Sequence, residues 1–250
     1  MVTAEAAAEP LAPDPVVSGA VNFRDTGGLP AGSSRTRAGV LFRSGNLAHL
    51  DDHGAAAIAG LGIRRIIDLR ADEEVAYAPS RVGGVDAVTQ RVPLFLGSVA
   101  SFFDDDISLA EMYRRLVEDS SAGVVEVVRG ILADQPVLVH CTVGKDRTGV
   151  TIALALSAAG ADSDAVVADY ARTEGLLPQW RNRRVLAHLR SLHPGAVHLE
   201  DLACKSPAPV MRGLLDGVTA AYGSASDYLR AHGLADDELR ELRRVLVVAP

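Results

Sequence analysis

Only two of the 250 residues are cysteine, Cys141 and Cys204, and they stand far apart in the chain. That excludes a disulfide framework and fits a reducing compartment, where an isolated cysteine is a candidate catalytic group. Positive charge is also short. The 25 Lys and Arg face 32 Asp and Glu, a net charge of −7. This balance argues against a nucleic-acid partner, whose footprint is basic. A local pocket on an acidic protein can still be positive and take an anion. No basic stretch followed by an apolar one opens the chain, so no secretory signal is read. The longest apolar run, Val150 to Ala161, contains Thr151 and Ser157 and is too short to span a bilayer. A cytoplasmic protein without stable membrane insertion is expected. Internal repeats and long Ser/Gly linkers are missing too. What is present is a chain 48% hydrophobic, enough to bury one sizeable core. The expected organisation is a flexible, Ala/Glu/Pro-rich arm over 1–15 and a single domain over 16–250. Oligomeric state is not legible.

Strand and helix signals alternate along that domain. Val40 to Arg43 is short and apolar. Asp51 and Asp52 can cap a helix running toward Gly60, with Gly62 helping to end it. Arg65 to Leu69 reads as a buried strand, bounded by the polar run Arg70 to Glu74. Ser108-Leu109-Ala110-Glu111 is a capping box, predicting a helix to about Val117, and a second runs from Ser121 to Leu132. Pro136 to Val139 is apolar on both faces, which predicts a central strand. A loop follows, then a helix from Arg147 to Ala159, stopped by Gly160. Another runs near Ser163 to Arg172. From Pro207 onward the chain reads helical, with breaks near Gly223 and Gly233. The pattern predicts an α/β fold with a central, mostly parallel sheet flanked by helices.

The informative segment is His140-Cys141-Thr142-Val143-Gly144-Lys145-Asp146-Arg147-Thr148-Gly149, between the strongest strand and a helix N-terminus. That location binds anions through unpaired N–H groups and the helix dipole. The same field favours the thiolate of Cys141, the nucleophilic form of a cysteine. Five residues between Cys141 and Arg147 let the chain wrap a phosphate. The amides of Thr142, Val143, Gly144, Lys145 and Asp146 can then face its oxygens, while the planar Arg147 fork closes the ring. Gly144 permits close backbone approach. The Thr148 hydroxyl is placed to donate to the Cys141 sulfur. Lys145 adds a second cation, which either favours multiply charged substrates or strengthens the field around one phosphate. A nucleotide-binding loop is excluded, because Val139 stands where its first glycine belongs and Asp146 follows Gly144-Lys145.

These residues resemble the signature of the cysteine-dependent protein tyrosine phosphatase superfamily, and Gly144-Lys145-Asp146-Arg147-Thr148-Gly149 narrows the likeness. It is similar to the bacterial atypical tyrosine/serine/lipid phosphatases of the mycobacterial tyrosine phosphatase B type. The resemblance covers most of the chain: Asn22-Phe23-Arg24-Asp25, Leu41-Phe42-Arg43-Ser44, Asp68-Leu69-Arg70, Val166-Val167-Ala168-Asp169-Tyr170 and Tyr228-Leu229-Arg230. It implies a protein-tyrosine-phosphatase-like fold and phosphate-monoester hydrolysis through phosphocysteine, without metal or other cofactor. The substrate would be a phosphotyrosine protein, with dual or lipid specificity open. The relatives carry a long lid insertion that is shorter here, where Phe102 to Asp106 is either a short flap or an ordinary acidic loop. A small metabolite, such as a nucleoside or sugar phosphate, is therefore an alternative substrate.

The leaving oxygen needs a proton donor. Superfamily members often supply it from a Trp-Pro-Asp loop, yet the single tryptophan, Trp180, is followed by Arg181. Two candidates remain. Asp146, implicated by the resemblance, is favoured over Asp68, which lies at a strand end where sheets of this class place functional groups. His140 is expected to position the loop. Arg24, Asp25, Arg43 and Arg70 are expected to form buried ion pairs bracing it. Arg181 to Arg184 reads as a solvated helix face. His193 and His198 lack metal-ligand spacing. Cys204 has no assigned role, and the sequence does not place it within bridging distance of Cys141.

Overall fold

A computed structural model of the chain describes residues 13–94, 103 and 105–249. Five strands form one sheet in the order β1 (Arg24–Asp25), β4 (Leu41–Ser44), β7 (Val137–His140), β5 (Arg65–Asp68), β6 (Val88–Arg91). β4, β7, β5 and β6 run parallel, and β1 pairs antiparallel with β4 at one edge. A small hairpin, β2 (Pro30–Ala31) and β3 (Ser34–Arg35), stands apart. The predicted mostly parallel sheet is present, with the strand read as central in the middle position.

The sheet sorts its side chains by strand period. Leu41, Ile67, Val137 and Val139 enter one core, while Phe42, Ile66 and Leu138 enter a second on the opposite face. The second core is closed by α1 (Asp52–Gly60), capped by Asp51, whose carboxylate accepts from the Gly54 amide. The first is covered by α3 (Leu109–Asp119), α4 (Ser121–Ala133) and α5 (Arg147–Ala159). Ser108 caps α3 by accepting from the Glu111 amide, as its capping box predicts. Helix α5 is buried along nearly its whole length and ends at Gly160 in a left-handed conformation, φ 96°. Behind it follow α6 (Ser163–Ala171), α7 (Thr173–Leu176), α8 (Gln179–Leu192), α9 (Leu199–Cys204), α10 (Ala208–Tyr222), α11 (Ala225–Ala231) and α12 (Asp236–Leu246). Among the described residues, no helix is long and apolar enough to cross a membrane.

Two elements depart from the sequence reading. Strand β6, Val-Thr-Gln-Arg, is a half-exposed edge strand without an apolar signal. The polar run after β5, read as a boundary, winds into a short helix, α2 (Asp72–Tyr77). Of the expected arm, only Pro13, Asp14 and Pro15 are described, and Asp14 pairs with Arg172. Of Phe102 to Asp106, residues 102 and 104 lie outside the described residues. Phe103 is half-buried and stacks on His193 with ring centroids 6.3 Å apart. Asp106 accepts from the Val197 and His198 amides.

Candidate active site

The loop from Cys141 to Asp146 joins the carboxyl end of the central strand β7 to the N-terminus of α5. Its carbonyls are held outward by three side chains. Asn22 donates to the Val143 and Gly144 oxygens at 3.1 and 2.9 Å. Arg43 donates to the Gly144 oxygen at 2.9 Å, and Asn46 to the Thr142 oxygen at 3.1 Å. Peptide planarity then turns the intervening amides toward the loop's concave side. The Gly144 amide already donates to the Cys141 sulfur at 3.3 Å. Gly144 itself has φ +72°, and a Cβ there would lie 2.3 Å from the Ser44 oxygen, so glycine is required on both counts.

Behind those donors lies a buried ion cluster. Asp169 of α6 takes Arg24 Nε at 2.7 Å and Arg43 Nη1 at 2.8 Å. Burial works to raise Asp169, but Arg43 and Arg24 outweigh it and hold the carboxylate below its usual range. Burial and the neighbouring Arg43 pull Arg24 down to about 10. Arg24 also fixes Asn22 by donating to its side-chain oxygen. Arg24 and Arg43 thus brace the loop as expected. Asp25 does not: its carboxylate accepts from the Gly27 and Gly39 amides, at 2.9 and 2.6 Å, and ties the β1 edge. Arg70 pairs with Asp68 at 2.9 and 2.7 Å and also reaches the Ala78 oxygen and Ser80 hydroxyl. It therefore ties the C-terminal end of α2 back to the end of β5.

That anchoring places Glu74, which the sequence reading missed. Its carboxylate takes the Arg147 guanidinium through two bonds, 2.5 and 2.7 Å, and accepts from Thr142 Oγ1. It also accepts from the Ala71 amide at 2.9 Å. Burial acts to raise Glu74, but Arg147 and the hydrogen bonds prevail and hold it at about 2. The fork of Arg147, 5% exposed at the base of the loop, is thereby locked in orientation.

Asp146 and Lys145 form the other flank. Lys145 is fully buried. Its ammonium lies 2.8 Å from Asp146 Oδ1 and donates to the Asp201 oxygen at 3.1 Å. The ammonium, offered by the sequence as a second cation in the loop, is thus engaged by two partners within the protein. Asp146 Oδ1 also accepts from the Tyr113 hydroxyl at 2.9 Å, and its side chain is 21% exposed. Asp68, the other acid candidate, is buried against Arg70 and lies 3.8 Å from His140 Nε2. Burial tends to raise it, while Arg70 and His140 lower it further, leaving it below the usual carboxylate range. His140 is fully buried, and burial pushes it down to about 4, so it stays neutral at ordinary pH. The expected bond from Thr148 to the sulfur is absent. The Thr148 hydroxyl is buried and makes no hydrogen bond among the described residues, because it sits inside the first turn of α5.

The remaining expectations resolve simply. Arg183 and Arg184 are solvated, but Arg181 turns inward, is lowered by burial, and donates to the Ala203 oxygen. Cys141 and Cys204 are both free and buried. A cavity of about 680 Å³ beside Asp14, Asp25, Arg35 and Arg172 contains none of the loop residues. The assembled site is a pinned loop with a buried thiol at its start, a locked guanidinium at its end and a partly exposed carboxyl beside that guanidinium. Such a set can bind a phosphate dianion, attack phosphorus and protonate a leaving oxygen.

The family profile and the sequence relatives agree with that chemistry. The profile of the tyrosine phosphatase family matches residues 15–248. The triple specificity protein phosphatase PtpB of Mycobacterium tuberculosis is 32% identical over 92% of this chain and 97% of its own. A tyrosine-protein phosphatase of Nostoc commune is 30% identical over 82% of this chain and 74% of its own. Among solved structures, P. aeruginosa TpbA aligns over 68% of this chain and 88% of its own, at 20% identity and a TM-score of 0.36.

Proposed function

The chain belongs to the tyrosine phosphatase family, and from that premise we propose that its single domain, 16–250, hydrolyses phosphotyrosyl protein through a phosphocysteine on Cys141. The Cys141 thiolate attacks phosphorus, and the bond from phosphorus to the leaving oxygen breaks. Asp146 delivers its proton to that oxygen. A water molecule then attacks phosphorus, the sulfur–phosphorus bond breaks, and the Asp146 carboxylate takes up the water's proton. Arg147 and the amides of Thr142 to Asp146 stabilise the equatorial oxygens in both steps. Asp146 is preferred to Asp68 because its side chain is 21% exposed and a leaving group can reach it, whereas Asp68 is buried against Arg70. Two unpaired thiols support a reducing, cytoplasmic setting.

The observation that carries this reading is the outward pinning of three consecutive loop carbonyls over a buried thiol. The relative named for triple specificity supports including dual or lipid specificity in the proposal. The test is phosphate release from phosphotyrosyl and phosphoseryl peptides, phospholipid and nucleoside monophosphate. Preference for phosphotyrosyl peptide, inhibition by vanadate and loss of turnover in Cys141→Ser are expected. Strong preference for a nucleoside monophosphate, or full activity in Cys141→Ser, overturns it.

A further inference from the structure

The two oxygens of Asp146 are treated differently. Oδ1 accepts a hydrogen bond from the Tyr113 hydroxyl at 2.9 Å and pairs with the Lys145 ammonium at 2.8 Å. Among the described residues, Oδ2 has no hydrogen-bond partner. The Tyr113 hydroxyl also lies 2.7 Å from the Tyr170 hydroxyl. A hydroxyl has one proton. If Tyr113 gives its proton to Asp146, Tyr170 must supply the proton between the two tyrosines. The chain of donation therefore has one direction, from Tyr170 to Tyr113 to Asp146 Oδ1. Both phenols are buried, and their rings pack edge to face, 6.0 Å apart at 81°. Burial, with the nearby Asp146, raises both phenols above their ordinary range, so both hydroxyls keep the protons this chain of donation needs.

We propose that Tyr113, backed by Tyr170, is a positioning residue that reserves Asp146 Oδ1 as the acceptor oxygen and leaves Oδ2 to carry the proton passed to the leaving group. The inference rests on the reading of Asp146 as the general acid and deepens it. A carboxyl group whose one oxygen already accepts a hydrogen bond and faces a cation takes its own proton on the other. That oxygen is the one free to turn toward the mouth of the cradle. In the second step the same oxygen, now bare, receives the proton of the attacking water. No atom of Tyr113 touches substrate. Its contribution is orientation, and it is felt only where proton transfer limits the rate.

The experiment measures kcat for a poor leaving group, phenyl phosphate, and a good one, 2,4-dinitrophenyl phosphate. The proteins are the wild type, Tyr113→Phe, Tyr170→Phe, Asp146→Asn and the double variant Tyr113→Phe/Asp146→Asn. Tyr113→Phe is expected to slow phenyl phosphate by about tenfold while changing 2,4-dinitrophenyl phosphate by less than about twofold. Tyr170→Phe should do the same to a smaller degree, and it carries the test if Tyr113→Phe fails to fold. The double variant should be no slower on phenyl phosphate than Asp146→Asn alone. Equal slowing of both substrates by the tyrosine variants, or an additive double variant, overturns the inference while Asp146 keeps its role. If Asp146→Asn itself shows no leaving-group selectivity, the acid assignment falls and this inference falls with it.

Discussion

Along one flank of the phosphate loop, at Thr142 to Gly144, the constraints act on backbone carbonyls; along the other, at Lys145 and Asp146, they act on side chains. The first flank is gripped by Asn22, Arg43 and Asn46, and the grip is backed by the buried Arg24–Asp169–Arg43 cluster. Backbone gripped in this way presents its amides in one arrangement whatever the substrate. The second flank holds a carboxyl through a phenol and an ammonium, groups that tune where a proton resides. The difference teaches a division of labour. Binding phosphate is the work of a rigid shape, whereas passing a proton is the work of an oriented and adjustable side chain.

Breaking the first flank should cost most. Asp169→Asn leaves Arg24 and Arg43 buried beside a neutral partner, and removal of one member of a buried ion cluster costs about 3–5 kcal/mol. Chemical denaturation should show that loss, and phosphate affinity should fall with it. On the second flank the expected effect is chiefly catalytic. Asp146→Asn should slow hydrolysis of poor leaving groups by about 10²–10³-fold and lower the denaturation midpoint less than Asp169→Asn does, because the Lys145 ammonium keeps the Asp201 oxygen. Comparable loss of stability in both variants would erase the distinction between the flanks.

Glu74 stands beside the guanidinium that serves both flanks. Glu74→Gln should weaken phosphate binding by about tenfold, since a neutral amide still contacts Arg147 but no longer locks its fork. Its signature in pH is specific. Glu74 ionises at about 2 in the fold against an ordinary 4.5, so its stabilising contribution is complete above about 4.5 and is lost as pH falls toward 2. The variant should show a shallower acid limb over that window. A last effect, read in pH dependence alone, belongs to His140. It stays neutral down to about 4 against an ordinary 6.5, so the unfolded chain binds more protons between those values. Stability should therefore decline as pH drops from 6.5 to 4, and His140→Asn should flatten the decline.

Much of the first flank is legible in the sequence. The strand before Cys141 is apolar on both faces, the helix after it is stopped by Gly160, and the five-residue spacing to Arg147 fixes the wrap. Arg24 and Arg43 sit in short motifs whose burial the resemblance implies. The partners of the second flank are harder to read, because their side chains look ordinary. Tyr113 falls on the apolar stripe of α3 and reads as a core aromatic, since its hydroxyl meets Asp146 only after 33 residues of chain. Glu74 is one of several acids in an exposed run, and nothing local says which of them turns toward an arginine 73 residues away. Thr148 shows the opposite error. Sequence proximity to Cys141 suggested a bond that the helical first turn does not make. Strand β6 was missed because an edge strand with half-exposed Thr and Gln has no apolar alternation to find.

Covalent trapping at Cys141 tests the central claim most directly. The enzyme, turning over a phosphotyrosyl peptide bearing radiolabelled phosphate, is quenched in acid and digested, and the label is mapped. The account predicts label on the peptide containing Cys141 in the wild type, and none in Cys141→Ser. Label on another residue, or sustained turnover with no covalent label at all, would contradict it.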